Sequence, residues 1–212
     1  MATARFALSK LSGLSFWKLC GSGTGEGFTP KPNWGVWAIL SVWDNDDDQR
    51  AGLQSAVFKK WRSKSDENWT VTLRANQARG TWSDQHPFAV DAPIGPGPIV
   101  ALTRATIRPR ILAKFWQRVP NISAVIGADP NVIFKIGIGE VPWLHQVTFS
   151  IWPDAKSMAN FARRDGPHAK AIQAVRDGNW FKEELYARFH LLDDQGTWNG
   201  VRPLSDMKGT PP

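Results

Sequence analysis

The chain has 212 residues, 42% of them hydrophobic and 21% charged, with a formal net charge of +7 and a pI near 9.8. That composition is globular and the length allows a substantial core, which excludes a disordered or collagen-like chain. A single cysteine excludes an internal disulfide framework and suits a reducing cytoplasm; no apolar run approaches the length of a bilayer span, and the N-terminus lacks a signal peptide's hydrophobic region.

Residues 2 to 11 read as a short helix, and Leu14 to Cys20 as a strand ending in a glycine-rich turn. Gly21, Gly23, Gly25 and Gly27 invite a phosphate-loop reading. The third glycine of a dinucleotide fingerprint would fall on Glu26 or Phe28, however, and no Gly-Lys-Ser/Thr follows, so a connection between two strands is expected. Trp34 to Trp43 is the next strand, and Asp46-Asp47-Asp48 opens a helix running to about Lys64. Trp69 to Arg74 alternates as a short strand. Residues 83 to 98, rich in Pro, Gly and Asp, read as the linker between an N-terminal half, residues 1–90, and a C-terminal half, residues 91–212. Beyond the linker the pattern predicts a strand over Ile99–Thr106, a helix over Pro109–Ile126 and strands over Val132–Ile138 and Leu144–Trp152. A helix over Ala155–Val175, interrupted at Gly166-Pro167, and a closing strand over Glu184–Leu192 complete it.

The second half is therefore βαββαβ, the ferredoxin-like order, and the first half reads as a copy of it. Phe16-Trp17-Lys18-Leu19 matches Ile133-Phe134-Lys135-Ile136, and Gly25-Glu26 matches Gly139-Glu140. Ser41-Val42-Trp43 matches Ser150-Ile151-Trp152, and Gly80-Thr81-Trp82 matches Gly196-Thr197-Trp198, in the same order. The first copy lacks its leading strand, so upstream residues or a neighbouring chain in a homo-oligomer are expected to cover that edge. Two such units in tandem can close sheet against sheet, giving an α+β fold of the pseudo-dimeric barrel type. Glu26 and Glu140 occupy equivalent loops, which suggests a shared structural job such as bonding turn amides, with general acid–base work as the alternative.

The chemistry-bearing segment is Arg163-Arg164-Asp165-Gly166-Pro167-His168. Asp165 can cap a helix and Pro167 suits its first turn, and Ala171, Ile172 and Val175 follow His168 by three, four and seven residues. The imidazole then lies on the apolar face, as a hydrogen-bonded core group or as a ligand. Cys20 is a second ligand candidate, but its strand-like setting without a helix N-terminus favours an inert thiol. The four histidines lack the short spacings of a zinc or non-haem iron site. Twelve Trp and eleven Phe suit either an aromatic core or walls for a long apolar ligand.

Several long stretches resemble the spheroidene monooxygenase family of carotenoid-modifying oxygenases. They are Phe16 to Leu19 with Gly21 to Pro30, Leu102 to Thr106, Gln146 to Asp154, Ser157 to Ala162, His168, and Trp180 to Phe189. The resemblance implies haem b as cofactor, molecular oxygen as co-substrate and an apolar polyene as substrate, hydroxylated and then converted to a ketone at an allylic carbon. It makes His168 the expected axial iron ligand. Lys135 and Gln146 are candidate groups on the oxygen side, and Arg104 and Arg164 candidate partners of the haem propionates. Two other classes stay open: a haem enzyme of the same fold doing dehydration or nitrogen chemistry without oxygen, and a haem- or lipid-binding module without turnover. The positive charge favours an acidic ferredoxin-type electron donor and peripheral contact of a cytoplasmic protein with the inner membrane. Lys59-Lys60-Trp61-Arg62-Ser63-Lys64 reads as a solvated helix face, and no nucleic-acid signature accompanies it.

Overall fold

A computed structural model of the chain describes residues 2–27, 29–91, 93, 95–117, 131–163 and 178–205. Helix α1 (Ala2–Leu8) leads into β1 (Leu14–Gly23) and β2 (Pro32–Trp43), followed by α2 (Asp46–Leu53), α3 (Ala56–Arg62) and β3 (Trp69–Gly80). After a loop come β4 (Ile99–Ile107), a 3-10 turn at Pro109–Ile111, β5 (Phe134–Gly139), β6 (His145–Trp152), α4 (Ala155–Arg163) and β7 (Phe181–Gly196). The strands order as β2-β1-β5-β6-β4-β7-β3. Within it β7-β4-β6-β5 is the ferredoxin-like arrangement expected of the second half, and the first half contributes three strands against four.

The chain divides into two compact units. The first comprises residues 1–19, 39–72 and 193–212. Its core joins Leu8 of α1, Leu19 of β1, and Val57 and Phe58 of α3, with Trp17, Trp43 and Leu53 packed against them. The single helix expected from Asp46 to Lys64 is instead two. Asn45 caps α2 by accepting the Asp48 amide at 2.9 Å, and Ser55, extended at ψ 160°, breaks the chain before α3. Gly52 explains how α2 sits so close to β2: a Cβ there would lie 1.9 Å from the Trp43 indole.

The second unit comprises residues 20–38 and 73–192. Antiparallel ladders join β4 to β6 and β7, and β5 to β6. Val100, Leu102, Val147, Ile151, Leu185 and Ala187 are buried there. On the other face Met158 and Phe161 of α4 pack on Ile99 and Trp152. The helix expected over Pro109–Ile126 begins as the 3-10 turn and is helical over residues 112–117; its remainder, and Arg164 to Val175 with His168, lie outside the described residues.

Local geometry bears the duplication out. Gly80 and Gly196 have φ of +94° and +91°, and a Cβ on either would lie within about 2 Å of a carbonyl, that of Glu184 or Asn68. Thr81 and Thr197 donate their amides to those same two carbonyls at 3.0 Å, and Trp82 and Trp198 each open an isolated bridge, to Gln85 and Val201. A glutamate secures each turn: Glu183 accepts the Asp84 amide at 2.8 Å, and Glu67 those of Asn199 and Gly200 at 2.7 Å. Trp43 and Trp152 each donate an indole N–H to the serine two residues earlier, Ser41 and Ser150, at 3.1 and 3.0 Å. Since both the positive φ and the near-contact exclude a side chain, Gly196→Ala is expected to destabilise the protein by at least about 2 kcal/mol. The urea midpoint of unfolding should fall accordingly, and Gly200→Ala, with nothing within 4 Å of its would-be Cβ, should cost less.

Candidate functional site

Residues directly opposed in an antiparallel ladder share a sheet face. In the second unit this sorts the polar residues cleanly. Thr103 opposes Thr148 and Tyr186, Ala101 opposes Ser150 and Arg188, Ala105 opposes Gln146, and Lys135 opposes Ser150. All of these occupy the face that carries α4. Arg104, opposed by Val147 and Leu185, lies on the other.

On the α4 face Ile99 and Trp152 are covered, but Thr103 is exposed although β4 is flanked by β6 and β7, and Thr148, Gln146 and Tyr186 are half-buried. The result is a polar shelf beside the helix. At its β5 end Lys135 is buried with Nζ 2.5 Å from Glu26 Oε2. The glycine-rich connection puts Glu26 there. Gly27, at φ +89°, comes so near that a Cβ would lie 2.0 Å from the Gly137 carbonyl, the Gly137 amide donates to the Glu26 carbonyl at 2.8 Å, and Ser22 Oγ donates to the Gly137 carbonyl at 2.8 Å. Those glycines thus fold a loop onto a strand. Lys135 and Gln146 share the face without converging, since they stand about 14 Å apart along the strands. Arg188 also lies on this face, and Arg79 sits 5.1 Å over the Tyr186 ring. Sequence reasoning missed both arginines, because choosing the face requires the strand register.

The opposite face ends in a charged network. Arg104, 2% exposed, pairs with Glu183 and lies 5.6 Å over the ring of the fully buried Trp82. Trp82 Nε1 donates to Glu140 Oε1 at 2.6 Å, and His145 Nδ1 stands 3.4 Å from Glu140 Oε2. Burial pushes the Glu140 carboxyl up, but the approach of His145, the hydrogen bond from Trp82 and the charges of His145 and Arg104 outweigh it, leaving its pKa at about 2. Glu140 therefore does more than brace a turn, and it differs in partners from Glu26. A cleft of about 690 Å³ opens here, with Arg104, Thr106, Arg108, His145, Trp180 and Lys182 on its walls. Arg104, expected as a propionate partner, is thus committed to Glu183; taking it away would cost on the order of 3 kcal/mol. Cys20 is fully buried in β1, which suits an inert thiol. Among the described residues no group of three or more His, Cys, Asp or Glu side chains could hold a metal ion.

No protein-family profile matches the chain. Among solved structures, aldoxime dehydratase superposes with a TM-score of 0.59 at 11% identity, over 91% of this chain and 75% of that one. A second aldoxime dehydratase, crystallised with butyraldoxime, gives 0.59 at 10% identity over 91% and 74%. These likenesses show the fold, α+β with two ferredoxin-like halves in tandem. Spheroidene monooxygenase of Rhodobacter capsulatus is 51% identical over 209 residues, covering 97% of this chain and 87% of the relative. That of Cereibacter sphaeroides is 49% identical over 212 residues, covering 97% of this chain and 64% of the relative. The relatives define an oxidoreductase, an enzyme of the monooxygenase class. The chain belongs to the spheroidene monooxygenase family.

Proposed function

We propose that the protein is a haem-dependent monooxygenase that inserts oxygen into an acyclic carotenoid, hydroxylating an allylic carbon and then oxidising it to a ketone. The observation that carries this reading is the identity of 51% over 97% of the chain to a spheroidene monooxygenase. The polar shelf supports it on physical grounds. An exposed Thr103 on an interior strand leaves polar surface open on the sheet face that carries α4.

His168 would hold the haem iron through its imidazole. Arg188 and Arg79 would supply positive charge on the shelf's own face for the propionates, in addition to Arg164, whereas Arg104 is spent on Glu183 and Lys135 on Glu26. Gln146 and Thr148 offer hydrogen bonds to an oxygen-side ligand. Haem bound there supplies the activation of dioxygen.

Each hydroxylation consumes dioxygen, two electrons and two protons and releases water, so an external reductant is needed. The net charge of +7 suits an acidic ferredoxin-type donor. Turnover of an acyclic carotenoid by the haem-loaded protein should therefore require both oxygen and reductant. It should also slow as salt rises towards 1 M, where the Debye length is about 3 Å. Undiminished turnover without oxygen would overturn the monooxygenase reading, and a flat salt response the docking of an acidic donor.

A further inference from the structure

The second unit carries a tryptophan cluster that neither the shelf nor the charged network uses. Trp34 and Trp37 of β2 are 74% and 41% exposed, with ring centroids 6.1 Å apart. Trp143, before β6, is 52% exposed and neighbours the exposed Val141. These groups are linked through Pro30. Trp143 Nε1 donates to the Pro30 carbonyl at 2.8 Å, and four residues of chain put Trp34 no more than about 14 Å from Pro30. Lys31, between Pro30 and Pro32, is exposed in the same segment.

We infer that this surface docks the enzyme on an anionic lipid bilayer. Rigid flat aromatics at the water boundary are what a membrane interface selects, and Trp is its characteristic residue. Trp143 is held at φ +65°, an unfavourable conformation for a bulky side chain that persists here while presenting the ring to solvent. The indole N–H of Trp37 is bonded to the Trp34 carbonyl and that of Trp143 to Pro30, both at 2.8 Å. Neither ring would strip a donor of its partner on entering the acyl boundary. Because β2 ends the strand order, a second copy of the chain is the competing occupant. Charge decides between them: a chain of net charge +7 repels its own copy and is drawn to anionic headgroups, with Lys31 placed to meet them. The attachment is peripheral, since among the described residues no helix is long and apolar enough to cross a membrane. The inference rests on the carotenoid reading for its purpose, because a long polyene dissolves in the bilayer.

The test is sedimentation of the haem-loaded protein with phosphatidylcholine vesicles, with and without phosphatidylglycerol. The protein should bind the anionic vesicles, and the Trp34→Ser/Trp143→Asn variant should lose about tenfold or more in partition coefficient. Asn tolerates the left-handed conformation at position 143, and circular dichroism checks that the variant folds. Lys31→Glu, a change at an exposed residue, should weaken binding to anionic vesicles and leave neutral ones unaffected. An unchanged partition coefficient in both variants, or no binding by the parent protein, overturns the inference. So does light scattering that shows the tryptophan variant dissociating a dimer with vesicle binding intact. Turnover of detergent-dispersed carotenoid reports on the catalytic reading separately: its absence in the parent protein sinks that reading while the vesicle result stands.

Discussion

His168→Ala is expected to give a folded protein that carries no haem and does not turn over carotenoid. His168 lies five residues beyond Arg163, the end of the helix whose Met158 and Phe161 pack on the shelf's face, so the chain cannot carry it more than about 18 Å from that helix end. Its spacing to Ala171, Ile172 and Val175 is that of an apolar helical stripe in the sequence, which is why it is the expected iron ligand. The other three histidines are engaged elsewhere. His86 Nδ1 is 3.0 Å from the Gly80 carbonyl, His190 Nε2 is 2.7 Å from that of Pro93, and His145 faces Glu140. The alanine variants of His86 and His190 should accordingly keep the Soret band that His168→Ala loses. A His168→Ala protein with parental haem content and turnover would overturn the assignment.

Much of this fold could be read from spacing, because alternation and repeated motifs are local. Gly-Thr-Trp at positions 80–82 and 196–198 is legible as a repeat since a positive-φ glycine pressed against a carbonyl admits no other residue. The break between α2 and α3 was hidden, because Gln54 and Ser55 are tolerated inside a helix and only the extended Ser55 shows the stop. The site was legible in part. Lys135 and Gln146 could be placed on the same alternation, but which cations join them depends on register: Ala101 opposite Arg188 selects one arginine for the shelf and excludes Arg104. The partners of Glu26 and Glu140 were beyond reach for the same reason. Lys135 and Trp82 lie 109 and 58 residues away in the chain, and sequence periodicity carries no information over such separations.

Acid should expose the Glu140 network. The carboxyl has a pKa of about 2 in the folded protein against an ordinary 4.5, so the folded state binds fewer protons than the unfolded state between those values. Its contribution to stability is present above pH 4.5 and is lost as the pH falls towards 2. The size, from the shift, is on the order of 3 kcal/mol, and the group is buried enough that solvent screening reduces it little. Trp82 Nε1 at 2.6 Å is the firmer of the two contacts, since His145 Nδ1 at 3.4 Å is long for a hydrogen bond. Glu140→Gln, which cannot ionise, should flatten the part of the stability–pH curve between pH 4.5 and 2 and lower stability at pH 7. Trp82→Phe removes the indole donor and should raise the Glu140 pKa, moving the acid transition to higher pH. A cycle of the two substitutions, measured by urea unfolding at pH 7 and pH 3, separates the bond from the lost packing of Trp82. A coupling energy as large at pH 3 as at pH 7, or a Glu140→Gln curve parallel to the parent's, would show that Glu140 does not hold its charge through this network.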